Sequence, residues 1–287
     1  MKALATGVLF GLFVLVATAA PKPPVEKDYG VCRFILHDYE FSQQNQATIN
    51  LIIDDLLKSH ETAFEFHHDP NRRIRIRIFG REEDYNRFAE TSQVGGDAGS
   101  SANLSTNVAG YYSVKDDEVI TWRQHNPSYL ANNILHECSH AIMQHQFRRQ
   151  PIWLAEGCAV YFAYPRYMRD PSDEYSLHAK WKRIKGYMDE NTLPDLREFL
   201  NIAPREFREM PPSRSYTLSW SLFQLLMSTP EKRQAMNTML REYQRERRPD
   251  CAAVLDKAYP GGLTHMADDW RAWIARGAAN VLGGQAE

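Results

Sequence analysis

The chain has 287 residues, with 34 Lys and Arg set against 36 Asp and Glu, and a formal net charge of −2. So even a balance carries no electrostatic footprint for nucleic acid or for an anionic membrane surface as partner. The apolar fraction of 43% is that of an ordinary globular protein, enough for one large core or two closely packed lobes.

In chain order, Met1-Lys2, the apolar run Ala3 to Val16 and the small residues Ala17 to Ala20 have the form of a secretory signal peptide, with cleavage expected after Ala19. An uncleaved N-terminal anchor is the competing reading, because the run through Ala20 reaches the lower length limit of a membrane span. No other stretch is long and apolar enough to span. The expected segments are a signal at 1–19, a Pro-rich linker at 20–28, an N-terminal lobe of strands and helices at 29–127 and a helical lobe at 128–287. The protein is therefore expected to be exported, to a periplasm or the extracellular space.

Cys32 to Leu36 reads as a first strand, and Gln46 to Ala63 as an amphipathic helix with Ile49, Ile52, Ile53, Leu56 and Leu57 at helical spacing. Arg73 to Ile78 alternates strictly, the pattern of a half-buried strand whose arginines form an exposed sheet face. Glu82 to Glu90 reads as a short helix, and Thr91 to Asn107, rich in Gly, Ser and Asn, as a loop holding the sequon Asn103-Leu104-Ser105. Tyr111 to Val114 and Val119 to Trp122 pair as a hairpin around Lys115-Asp116-Asp117. From Ser128 onward the pattern is helical: Tyr129–Phe147, Ile152–Tyr164, Tyr175–Met188, Leu196–Phe199, Ser215–Met227, Glu231–Arg245, Ala252–Ala258 and Thr264–Arg276. Strands first and helices afterwards make the fold class α+β rather than a doubly wound sheet.

Two of these helices carry the chemistry. Residues 136–140 read His-Glu-Cys-Ser-His, an HExxH motif, and Glu156 follows His140 by 16 positions. Residues i and i+4 lie on one helix face, so His136 and His140 can direct two imidazoles at one metal ion. Glu137, about 100° round the helix, can reach a water at that ion without itself being a ligand. Glu156 offers the third protein ligand; two His and one Glu leave a fourth position open, as catalytic zinc sites require. The expected cofactor is one Zn2+ per chain, from the ligand types.

The string Trp-Leu-Ala-Glu-Gly-Cys-Ala at 153–159 resembles the third-ligand segment of gluzincin metallopeptidases, the thermolysin and zinc aminopeptidase lineage. The wider pattern is similar to exported bacterial gluzincin-like proteins: an aliphatic strand (Ile74 to Phe79), Ala-Gly-Tyr-Tyr (109–112), HExxH, then Pro-x-Trp-Leu-x-Glu-Gly (151–157). The resemblance implies a zincin-like fold, His136, His140 and Glu156 as ligands, Glu137 as general base, and a peptide or protein as substrate. It also implies that Glu118 to Trp122, the last strand before the motif helix, edges the cleft. A Tyr on a later helix would stabilise the oxyanion, and Tyr216 is the candidate by position. Only 15 residues separate His140 from Glu156, fewer than in thermolysin or the aminopeptidases. No Gly-Ala-Met-Glu-Asn string is present, the aminopeptidase grip on a substrate amino terminus, so endopeptidase is the plainer expectation. The alternative is a catalytically silent zincin-like binding protein of the cell envelope, which would have no need of Glu137. Cys32, Cys138, Cys158 and Cys251 allow three full pairings between which the sequence does not choose. Cys138 and Cys158, about 200° from the ligand faces, are either bridged to each other or two buried small hydrophobes.

Overall fold

The computed structural model describes residues 23–93, 109–163, 176–246 and 249–277. The signal segment, Tyr175 and most of the Gly/Ser/Asn-rich loop with its sequon lie outside them.

The fold is α+β, a mixed sheet followed by helices. Strands β1 (Val25–Tyr29), β2 (Cys32–His37), β3 (Ile74–Phe79), β4 (Gly110–Ser113) and β5 (Glu118–Trp122) form one sheet in the order β1-β2-β3-β5-β4. The central pairs β2–β3 and β3–β5 are parallel; the outer pairs are antiparallel. Parallel neighbours need crossovers, and α1 (Gln43–Phe64) and α2 (Glu82–Gln93) lie in them. The alternation of β3 decides which face is which. Ile74, Ile76 and Ile78 join the main core with Phe34 and Val119, against α1 residues Ile49, Ile53 and Leu56. On the opposite face Phe79, Tyr111 and Ile120 meet Tyr85 and Ala89 of α2 in a small second cluster.

Two expectations change here. The segment read as linker ends in strand β1, which pairs with β2 through a turn at Gly30, whose φ of 55° favours glycine. All five of its residues are exposed, so no apolar alternation marks it, and its charges suit an unprotected sheet edge. The arginine face of β3 is open at Arg73 and Arg75, each with a side chain 41% exposed, and closed at Arg77, 15% exposed. Glu118, buried at 2% exposure, pairs with Arg75 and Arg77, and Arg77 lies over the Phe88 ring.

The remaining helices are α3 (Pro127–Gln146), α4 (Ile152–Ala163), α5 (Leu177–Asp189), α6 (Leu196–Leu200), α7 (Pro204–Glu209), α8 (Pro212–Met227), α9 (Pro230–Arg245), α10 (Cys251–Ala258) and α11 (Gly262–Arg276). Of these, α7 leaves no periodic pattern in the sequence; it is a single short turn anchored by one buried residue, Phe207. Helix α4 is apolar nearly all round and sits between α3 and α8, as such a helix must. One continuous apolar cluster runs from Cys32 in the sheet to Ile274 in α11. Among the described residues no helix is long and apolar enough to cross a membrane.

Candidate metal centre

The site is built on α3 and α4. Helix α3 starts where Asn126 caps it, accepting from the Ser128 N–H at 2.9 Å, with Pro127 in the first turn where a missing N–H costs nothing. Ile134, Leu135, Ala141 and Ile142 bury one side of α3 and so turn His136 and His140 to the other. Helix α4 starts after Pro151, and the Trp153 indole donates to the Leu200 carbonyl at 2.9 Å from a fully buried position. Gly157 lets α4 meet α8 backbone to backbone: a Cβ there would stand 2.5 Å from the Ser219 carbonyl oxygen. These contacts set Glu156 opposite the two histidines.

The three side chains converge. His136 Nε2 and His140 Nε2 are 3.3 Å apart, and Glu156 Oε2 lies 3.4 Å from the first and 3.6 Å from the second. For an ion held about 2.0–2.1 Å from each ligand, the edge of the coordination tetrahedron is about 3.3–3.4 Å. The triangle therefore has the size of three corners of such a tetrahedron. Hydrogen bonding explains it poorly: charge-assisted bonds run to about 2.7–2.9 Å, and Glu156 Oε2 is buried without a hydrogen-bond partner. His136, His140 and Glu156 together can hold a metal ion. Without one, burial works against charge on His140, but Glu156 and Glu137 outweigh it and raise its pKa to about 9.

Glu137 is 9% exposed, and burial raises its carboxyl above the ordinary range, with His136 and His140 pulling the other way. It accepts a hydrogen bond from the backbone N–H of Tyr112 in β4. The sheet order corrects the expectation that Glu118 to Trp122 is an edge strand. Strand β5 is paired on both sides, by β3 and β4, and has no free backbone, whereas β4 is the outermost strand. The resemblance implied Glu118 to Trp122, the last strand before the motif helix, but a hairpin folded onto a parallel sheet puts its first strand outside. Gly110 lets β4 approach α3, since a Cβ there would meet Asn133 Oδ1 at 2.8 Å.

Tyr216 of α8 has its ring centroid 6.2 Å from that of His136 and leans on Phe207 at 6.4 Å. The charge of Glu156, then burial and Glu137, pushes its phenol pKa up, so the hydroxyl stays a donor. His145, on the ligand helix, turns away: its Nε2 is 2.6 Å from Asp117 Oδ1. His68 stacks on His145 and bonds the Arg72 carbonyl, and His125 packs edge-on to Trp122. None of these joins the cluster. The cysteines are all free and buried, the small-hydrophobe alternative for Cys138 and Cys158.

Carboxylates commonly orient metal-binding imidazoles from behind, but among the described residues only Glu156 stands within ion-pair distance of these two. Behind α3 stands His60 of α1, fully buried, against Ser139. It lies 79 positions before Ser139, and nothing local in the sequence marks it. Comparison with protein-family models and with curated proteins returned no match.

Proposed function

We propose that the chain is an exported zinc metallopeptidase that cleaves within peptides or proteins, with Glu137 as general base. The observation that carries this reading is the triangle of His136, His140 and Glu156, sized for a tetrahedral ion, with a carboxylate of the motif helix beside it. Two imidazoles and one carboxylate are ligands suited to zinc and leave one position to solvent. Export is supported by the N-terminal segment alone.

When bound, zinc supplies the Lewis acidity that polarises a water and the scissile carbonyl. Glu137 takes the proton of the attacking water and delivers it to the leaving amine. Burial suits that task by bringing its carboxyl nearer neutrality, and the Tyr112 N–H aims it. The Tyr216 hydroxyl donates a hydrogen bond to the developing oxyanion. Strand β4, unpaired on its outer side, offers an extended substrate backbone its remaining edge groups by strand addition, the Tyr112 N–H being taken by Glu137.

Metal content and turnover test this together. Wild-type protein is expected to hold about one zinc per chain, and a His136→Ala, His140→Ala double variant none. Glu137→Gln should keep the metal and lose hydrolysis of a peptide library. A wild type that takes up no zinc sinks the metal reading, and undiminished turnover in Glu137→Gln sinks the role of the base.

A further inference from the structure

A second polar cluster lies behind the ligand helices, and the chemistry above makes no use of it. His60 of α1, Ser139 of α3 and Cys158 of α4 are buried at 0%, 1% and 0% exposure. His60 Nδ1 is 2.8 Å from the Leu56 carbonyl, and its Nε2 is 2.8 Å from Ser139 Oγ. Cys158 Sγ is 3.6 Å from Ser139 Oγ and 3.5 Å from His60 Nε2.

One fact orders all the protons. A carbonyl only accepts, so Nδ1 carries the hydrogen and Nε2 presents a lone pair. Ser139 must then donate its hydroxyl to Nε2, which leaves its oxygen free to accept the weak Cys158 S–H. Burial holds the His60 pKa down at about 4, which keeps this neutral form in place. Two other buried helical hydroxyls bond to their own helix: Thr217 to the Ser213 carbonyl at 2.6 Å, Ser221 to that of Leu218 at 2.8 Å. Ser139 reaches across to another helix instead. The result is a directional chain, Cys158 to Ser139 to His60 to Leu56, running from α4 through α3 to α1.

Its two upper members are next to the metal ligands. Ser139 immediately precedes His140, and Cys158 follows Glu156 by two positions. Apolar packing between α3 and α4 is tolerant of small slides, whereas a buried hydrogen bond is directional and costly to break. Metal–ligand distances tolerate only about ±0.2 Å. We propose that His60 is a positioning residue: acting through Ser139 and Cys158, it locks α3 against α4 and so holds His136, His140 and Glu156 at metal-binding separation. This rests on the metal reading above.

The test is zinc affinity of the full-length metal-free protein, by competition with a chromophoric chelator, beside its urea unfolding. His60→Leu is expected to bind zinc about 10- to 100-fold more weakly, the usual cost of losing a group that orients ligands. His60→Gln should regain most of that, because its amide oxygen can accept from Ser139. Leu255→Ala is the control for stability alone, a buried residue of α10, which packs on α6, α9 and α11. It should lose stability and keep zinc affinity. Ser139→Ala removes one oxygen and leaves the packing, so it decides the matter if His60→Leu does not fold; weaker zinc binding is expected. Wild-type affinity in His60→Leu or, failing that variant, in Ser139→Ala overturns the proposal. So does an equal loss in Leu255→Ala. If the wild type itself binds no zinc, the metal reading fails first and this one with it.

Discussion

At the scale of single residues, the candidate site draws on three helices: His136, Glu137 and His140 on α3, Glu156 on α4 and Tyr216 on α8. The interval between His136 and His140 is one helical turn, and Glu137 is placed by the same geometry. Glu156 needed only a second helix, although its 3.4 and 3.6 Å approach to the imidazoles is a tertiary fact. Tyr216 is reached with less, by position on a later helix, and its ring does stand beside His136. If its hydroxyl donates to the oxyanion, Tyr216→Phe should lower kcat by about 100-fold or more, with zinc content unchanged. Steady-state kinetics and metal analysis on one sample check both halves, and an unaltered kcat removes Tyr216 from the chemistry. His60 illustrates what spacing does not contain. It is an ordinary member of an amphipathic helix until α1 is laid against α3.

At the scale of elements, two contacts fix the surroundings of the candidate site. Where α4 crosses α8, an alanine at 157 would set its Cβ 2.5 Å from the Ser219 oxygen and 3.1 Å from Phe223 Cβ. The gain in helix propensity cannot offset that clash, so Gly157→Ala should cost about 1–3 kcal/mol. Gly186 in α5 has nothing within 4 Å of a built Cβ. Gly186→Ala should therefore stabilise by about 0.5–1 kcal/mol. Urea unfolding of the pair measures both, and equal behaviour would contradict the packing described. The second contact is at the β4–β5 turn. Asp117 accepts from the Tyr112 hydroxyl at 2.7 Å, from Arg72 at 2.8 Å and from His145 at 2.6 Å, tying the hairpin to the end of α3. Burial works against the charge of Asp117, but the bonds to His145, Tyr112 and Arg72 outweigh it and hold its pKa below the ordinary value. A depressed carboxyl adds stability that is present above its unfolded pKa and lost as pH falls towards the folded one. The loss should set in below about pH 4. Its size should be about 1 kcal/mol or less, since the side chain is a third exposed and partly screened. Asp117→Asn retains the left-handed turn at φ 53°, because Asn tolerates that region. It should be less stable than wild type at pH 7 and show a flatter acid slope. Identical slopes would exclude this contribution.

At the scale of the whole molecule, one apolar cluster joins sheet and helices, and all four cysteines lie inside it. Burial pushes the Cys32 and Cys251 thiols up to about 12 and also raises those of Cys138 and Cys158 well above the ordinary thiol value. The thiolate is the reactive form. A thiol reagent should therefore modify none of the four in native protein and all four in guanidinium, at the rate of global unfolding. A smaller count in denaturant would reveal a disulfide.

What the amino-acid sequence determined by itself was everything that depends on a period: the α+β order, the alternation of β3, the turn of helix between His136 and His140. Each follows from side-chain direction within one element, which neighbours in the chain set. What only the tertiary structure decided was which elements touch. Strand order put β4, not β5, at the edge of the sheet beside α3, because pairing in a sheet is not ordered as the chain is. Strand β1 escaped notice because its five exposed residues bury no face. The 3.3–3.6 Å triangle and the His60–Ser139–Cys158 chain exist only once α1, α3, α4 and α8 are packed together. Distances between residues on different helices depend on backbone contacts such as Gly157 against Ser219, and no local pattern encodes them.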